Sequence, residues 1–253
     1  MHLLITNDDG IYAKGIRVLA KELSMIAKIT LVAPDRERSA TGHAITVHYP
    51  LRVEPVSVDG AADAYAVDGT PSDCVKLSLE ALLPDKPTMV ISGINRGPNL
   101  GTDILYSGTV SAAVEGIIHG VPSFAISLDC FDDGPYYDVA AAIAKKVVLK
   151  INEHGLPPGV LLNINVPTVP TEKLRGIKIT TLGTRRYRNV FDKRVDPRGR
   201  TYYWLAGDVI DLDDDIDTDT MAVKDGFVSI TPVHFDLTDY RVMEQLKNWD
   251  LTI

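Results

Sequence analysis

Short apolar runs separated by amphipathic helical stretches fill the first two thirds of the chain, and that alternation leaves few folds open. His2–Thr6 (HLLIT), Ile29–Ala33 (ITLVA), Thr88–Gly93 (TMVISG), Ser123–Leu128 (SFAISL) and Val160–Val166 (VLLNINV) are nearly continuous in their apolar character. That is the pattern of strands covered on both faces. Between them, Ile16, Leu19, Ala20, Leu23 and Ala27 mark one helical face, and Val110, Ala113, Val114, Ile117 and Ile118 mark another. Thr70-Pro71 has the form of an N-cap followed by a first-turn proline, opening a helix to about Leu83, and Tyr137–Ile151 reads as a longer helix. The expected architecture is α/β: a doubly wound, mostly parallel sheet in three layers, Rossmann-like, over residues 1–168.

The pattern changes after that point. Arg185–Arg200 is basic and turn-rich, Tyr202–Leu205 and Gly226–Pro232 look like strands, and Tyr240–Asn248 has weak helical spacing. Residues 169–253 are therefore expected to form a β-rich carboxy-terminal arm, an extension of one domain with no core of its own. Net charge is −8, and the last 53 residues hold 12 acids against 3 bases. This argues against an electrostatic grip on nucleic-acid polymers or on an anionic membrane. Two cysteines, Cys74 and Cys130, make no disulfide framework. No apolar run has the length of a membrane span, and the first residues lead directly into a strand, so a cytoplasmic location is expected.

In a parallel sheet, ligands bind beyond the carboxyl ends of the strands. The first strand ends in Asn7-Asp8-Asp9-Gly10. The second leads to a segment containing Ser39, and Thr88–Gly93 leads to Asn95 and Asn99. A turn after a strand favours Asp for structural reasons alone, yet adjacent carboxylates repel unless a cation or proton neutralises them. Asp8, Asp9, Ser39 and Asn95 offer only oxygen ligands, which suits Mg²⁺ or Mn²⁺ and not zinc. Ser107-Gly108-Thr109 precedes an amphipathic helix. Such a turn is an ordinary N-cap or an anion site. A cation beside an anion site points to phosphate-ester chemistry.

The stretches LLITNDDG, VAPDRERSATGHAITV, VDGTPSDCVKL and VISGINRGPNLGTDILYSGTVSAAVEG resemble the SurE family, the metal-dependent survival-protein phosphatases that act on nucleoside monophosphates. DPRGRTYYWLAG, DTDTMAVKDGFVSITPV and the final DLT extend the resemblance through the tail. It implies one divalent cation per subunit, Mg²⁺ or Mn²⁺, held by Asp8, Asp9, Ser39 and Asn95. It also implies a phosphate held by Ser107, Gly108 and Thr109 with Asn99 nearby. Asp8 or Asp9 is expected to orient or deprotonate the attacking water. A 5′-nucleotidase is the expected activity, with 3′-nucleotides and polyphosphate as further candidate substrates. The same resemblance implies a homodimer or homotetramer that exchanges its carboxy-terminal arms.

Other residues invite chemistry less strongly. His43 is expected to make a loop hydrogen bond, and His234 an arm contact. The acidic run Asp211–Asp219 reads as a solvated loop, and Arg185, Arg186 and Arg188 as partners for polyanions or for that run in a neighbouring subunit. Cys74 is expected in the core, and Cys130 has no evident base partner. Two rival functions stand beside the phosphatase. An aspartyl-nucleophile phosphatase of the haloacid-dehalogenase type wants an acid two residues after Asp8, where this chain has Gly10. A phospho-acceptor receiver domain wants an Asp at the end of the strand that here ends in Ser92-Gly93.

Overall fold

The computed structural model describes residues 1–132, 134–188, 190–211, 217–249 and 251. Its centre is a nine-stranded sheet. The first strands are β1 (His2–Thr6), β2 (Lys28–Pro34), β3 (Val53–Pro55) and β4 (Asp63–Val67). They are followed by β5 (Met89–Arg96), β6 (Ser123–Asp129), β7 (Val160–Pro167) and β8 (Ile177–Ile179). Two pairs lie outside the sheet: β10 (Phe191–Val195) with β11 (Thr201–Leu205), and β9 (Arg185–Arg188) with β12 (Asp208–Asp211). The last strand, β13 (Val228–His234), returns to the sheet, whose order is β3-β4-β2-β1-β5-β6-β7-β13-β8. From β4 across to β7 every pairing is parallel.

The strands are apolar throughout because both faces are covered. On β1, Leu3 and Ile5 join the cluster beneath α1 (Lys14–Leu23) and α4 (Tyr137–His154). Leu4, between them, joins the cluster beneath α2 (Pro71–Leu77) and α3 (Gly108–Ile118). The period of two along a strand thus feeds two cores at once. Helix α2 opens with a complete capping box, Thr70 and Asp73 each accepting from the other's backbone amide. It then continues through a wider turn to Leu82. Cys74 is fully buried there, as the apolar face requires, and burial pushes its thiol well up.

The tail divides. Helix α5 (Asp219–Lys224) and β13 belong to the central sheet: β13 pairs antiparallel with β7, and Val228, Ile230, Ala222 and Val223 are buried. The chain therefore has no structural break at 168, and the tail's own apolar strand completes the main core. The other pieces are different. Every residue of β10 and β11 is exposed, and α6 (Tyr240–Leu246) buries none of its side chains. Among the described residues no helix is long and apolar enough to cross a membrane.

One close contact fixes α1 against the sheet. A Cβ on Gly15 would lie 1.9 Å from the carbonyl oxygen of Ile94. Backbone is in the way, so no rotamer relieves it. Gly15→Ala is expected to cost about 3 kcal/mol, at the upper end for overpacking. Urea unfolding with an unchanged slope and a shifted midpoint will measure it.

Candidate active site

Strands β2 and β4 lie on one side of β1, and β5 to β7 on the other, so the order reverses between β1 and β5. Ligands gather in the crevice beyond such a reversal. At that edge β1 runs into a turn closed by Asn7, whose side chain donates to the carbonyl of Gly10 (3.0 Å) and accepts from its amide (3.2 Å). The turn presents Asp8 and Asp9. Strand β5 shifts register against β6 between Ser92 and Asn95, and beyond this irregularity the Arg96 amide donates to Asp9 Oδ2 at 2.9 Å.

The third contributor is the amino terminus of α3. Ser107 caps it, accepting from the Val110 amide at 3.1 Å. Thr109 Oγ1 donates to Asp8 Oδ1 at 2.6 Å. A Cβ on Gly108 would stand 3.0 Å from both Cβ and Oδ2 of Asp8, and 3.2 Å from Thr41 Oγ1. The glycine is what allows the helix end to close on the acid. Asp8 and Ser107–Thr109, a hundred residues apart in sequence, are in direct contact.

The electrostatics are unbalanced. Burial pushes the Asp8 carboxyl up, and the Thr109 hydrogen bonds oppose it without cancelling it. Burial, and then the charge of Asp8, push Asp9 up to about 7. The Arg96 guanidinium, whose charge opposes the rise at Asp9 without cancelling it, is paired with Glu37 at 3.1 Å. Among the described residues no ion pair reaches Asp8 or Asp9, and no three His, Cys, Asp or Glu side chains gather as a metal cluster. A cation here would complete its coordination with neutral oxygens, and the donors at hand are of that kind. One buried and one half-buried carboxylate, with no ion pair to either among the described residues, fit a hard divalent ion.

Ser39 is exposed, and its hydroxyl donates to Glu37 at 2.8 Å; the preceding amide, of Arg38, donates to the Asp8 carbonyl at 2.7 Å. Asn95 is buried, and its amide nitrogen donates to the Gly97 carbonyl at 2.7 Å, which leaves its side-chain oxygen as the group for a cation. Asn99 is buried and held on several sides. Its side-chain amide, the group a phosphate would use, donates to Ser127 Oγ, and its backbone carbonyl accepts from Asn163 and Asn165. This buried network was signalled by two asparagines inside the apolar strand VLLNINV.

The remaining polar residues also find places. His43 bonds a carboxylate, that of Glu115. His234 ends β13 and is exposed. In the acidic run, 212–216 lie outside the described residues. Asp219, at its end, is no solvated acid: it is fully buried and accepts from the Gly101 and Gly183 amides. Arg185 pairs with Asp103 of its own chain at 3.3 Å. The Cys130 thiol contacts the Asp132 carbonyl. In the final DLT, only Leu251 is among the described residues.

Fold and site together define a doubly wound α/β protein whose switch point sets an acidic pair against a helix amino terminus. The family model for the survival protein SurE matches residues 3–189, and the chain belongs to that family. A relative from Pelotomaculum thermopropionicum, named 5′-nucleotidase SurE, is 60% identical over 249 residues, covering 98% of this chain and 94% of its own. One of the same name from Heliobacterium modesticaldum is 55% identical over 250 residues, covering 98% and 92%. The crystal structure of the SurE protein from Aquifex aeolicus superposes with a TM-score of 0.86 at 41% identity, covering 98% of each chain.

Proposed function

We propose that the chain is a metal-dependent phosphomonoesterase that hydrolyses nucleoside 5′-monophosphates. One observation carries the reading: buried Asp8 stands directly against the Ser107–Thr109 helix end, with half-buried Asp9 beside it and both carboxyls pushed up. The first feature suits a cation, the second an anion, and a phosphate ester bridging them meets both. The relatives named as 5′-nucleotidases support the choice of substrate.

Asp8, Asp9, Ser39 and Asn95 would hold one Mg²⁺ or Mn²⁺ per subunit. When bound, that ion supplies Lewis acidity toward the phosphoryl oxygens and makes a water more acidic. The chain's own residues divide the other tasks. Asp8 is committed to Thr109, so it fixes the geometry. Asp9 accepts a hydrogen bond from the Arg96 amide, which leaves it the carboxylate placed to orient the water and take its proton. The Gly108 amide and the Ser107 hydroxyl hold the equatorial oxygens as charge develops on them, and Thr109, whose hydroxyl donates to Asp8, sets that turn against the acid. Ser127, Asn163 and Asn165 hold Asn99 in place, and the second hydrogen of its side-chain amide is the donor for a phosphate oxygen. The aspartyl-nucleophile rival has no support in the geometry: Gly10, where its acid would stand, closes the Asn7 turn.

Hydrolysis of AMP and of 4-nitrophenyl phosphate is expected to vanish in EDTA and to return with Mg²⁺ or Mn²⁺. A panel of 5′- and 3′-nucleotides and short polyphosphate then defines the range. Turnover that survives exhaustive chelation overturns the metal reading.

The exposed apolar side chains of β10, β11 and α6 support a homo-oligomer, dimer or tetramer, built by exchanged arms. Trp204 is 60% and Leu205 74% exposed, and Trp249 and Leu251 near the chain end are as open. Patches of this kind mark an association surface.

A further inference from the structure

Residues 35–52, between β2 and β3, form neither helix nor strand, yet they carry Ser39 to the site. A segment without an element of its own is held by what its polar groups bind. The Gly42 amide donates to the Tyr106 carbonyl, just before Ser107. Further along, Thr46 donates to Asp73 from both its amide and its hydroxyl, and the Thr70 hydroxyl donates to the Ala44 carbonyl. These last bonds fasten the far half of the loop to α2. Among the described residues the near half has one side-chain tie to α3: His43 Nε2 lies 2.7 Å from Glu115 Oε2.

Glu115 is an unusual residue for that place. It sits on α3, two turns beyond Gly108, and is only 4% exposed amid Val, Ala, Gly and Ile neighbours. Buried acids are retained when partnered. Its second oxygen faces Lys76 Nζ of α2 at 3.5 Å and His119 Nδ1 at 3.4 Å, and His119 in turn meets Glu80 at 2.9 Å. Burial pushes the Glu115 carboxyl up. The His43 hydrogen bond, and the charges of His43, Lys76 and His119, outweigh that and hold it below its ordinary value. The helix that supplies Ser107–Thr109 therefore carries a charged acceptor aimed at the loop that supplies Ser39.

We propose that His43 and Glu115 are positioning residues. Their bond straps the Ser39 loop to α3, so that the loop's and the helix's contributions to the Asp8 site keep one frame. This rests on the reading of that site as a metal-dependent phosphatase. A merely structural pair would act on stability alone. Here, removing His43 leaves Glu115 Oε1 with Lys76 and His119 but takes the partner of Oε2, so some stability is lost as the loop is released. A structural pair would show in the melting temperature alone, whereas the strap shows also in the affinity for metal and in loop mobility.

The test uses the metal-free, full-length protein and Mn²⁺, with free ion followed by electron paramagnetic resonance, so that turnover is not needed. His43→Ala is expected to weaken Mn²⁺ binding about tenfold, the usual cost of losing a group that orients a ligand. The Arg38 and Gly42 amides should exchange with solvent about tenfold faster, because the opening they report becomes easier. His43→Gln keeps a donor toward Glu115 and is expected to restore both. Adding Glu115→Gln to His43→Ala should weaken binding no further, since the two act through one bond. At saturating Mn²⁺, 4-nitrophenyl phosphate turnover by His43→Ala should approach that of the wild type. Wild-type Mn²⁺ affinity together with unchanged exchange in His43→Ala overturns the strap. If the wild type itself binds no Mn²⁺, the metal reading falls instead, and exchange alone judges the strap: faster at Arg38 and Gly42 keeps it, unchanged removes it.

Discussion

In EDTA at pH 7.5, Asp9→Asn is expected to melt above the wild type while losing about three orders of magnitude in turnover with Mg²⁺, within the range for a proton-transfer group. The stability gain follows from the direction of the shift. The Asp9 carboxyl lies near 7 in the folded chain against an ordinary 3.8, because burial and the charge of Asp8 disfavour its ionised form. A folded state that holds its proton more tightly than the unfolded one is most stable at low pH. It loses that advantage as pH rises from about 4 to about 7. The whole penalty is at most about 4 kcal/mol, which for a chain of this length is of the order of 10 °C. Asparagine keeps the shape and can still accept from the Arg96 amide, but it carries no charge to bury. The gap between variant and wild type should therefore shrink as pH falls toward 4. Adding Mg²⁺ should reverse the order, since only the wild type presents both carboxylates. Calorimetric melting at three pH values, with and without Mg²⁺, measures all of this. Equal melting in EDTA at pH 7.5 would mean that Asp9 is not an uncompensated charge.

A second large effect is expected in assembly. On the β10–β11 hairpin Phe191 stands directly opposite Leu205. They are 66% and 74% exposed, outside every core that the described residues form. Phe191→Lys combined with Leu205→Glu puts opposite charges on that cross-strand pair, so the hairpin itself is kept. The face it would present to another copy loses two apolar anchors, each contributing roughly 1.5–3 kcal/mol when buried. Across a two-fold contact both copies lose them, and the dimer should weaken by at least about 10⁴-fold. Sedimentation velocity at micromolar protein should show the monomer. An unchanged sedimentation coefficient would remove the hairpin from the interface.

The strands of the parallel core were legible because each is a run of apolar residues with turn residues at its ends. The elements that escaped lack that mark. Strand β4 (DAYAV) is built largely of alanine and charge, and it reads as a strand only once Val67 is buried beside β2. Strand β8 has three residues. Strand β13 was visible as a strand, but nothing local told that it would insert between β7 and β8 instead of joining the arm; its partners lie 64 to 74 and 51 residues earlier. The site divides along the same line. Asp8, Asp9 and Ser107–Thr109 stand at strand and helix ends, where position in sequence gives position in space. Glu115, Asn163, Asn165 and Asp219 stand inside apolar stretches or next to them. What reveals them is polarity where burial is expected, and their partners come from other parts of the chain. The sequence could flag such residues but not pair them.

The register shift in β5 has a consequence for how this protein tolerates change. One strand carries two cargoes: Met89 to Ile91 fill the cores on either face, and Asn95 and Arg96 serve the crevice. Side chains alternate along a strand, so inserting or deleting a single residue upstream of the shift would swap the two faces of the core and rotate Asn95 out of the crevice. Substitution at any one of the apolar positions is a local matter of volume. In a library drawn from this gene, the segment from Met89 to Arg96 should accept many exchanges of one apolar residue for another and almost no change of length. The opposite tolerance should hold in the exposed turn between β10 and β11, where nothing downstream depends on the count.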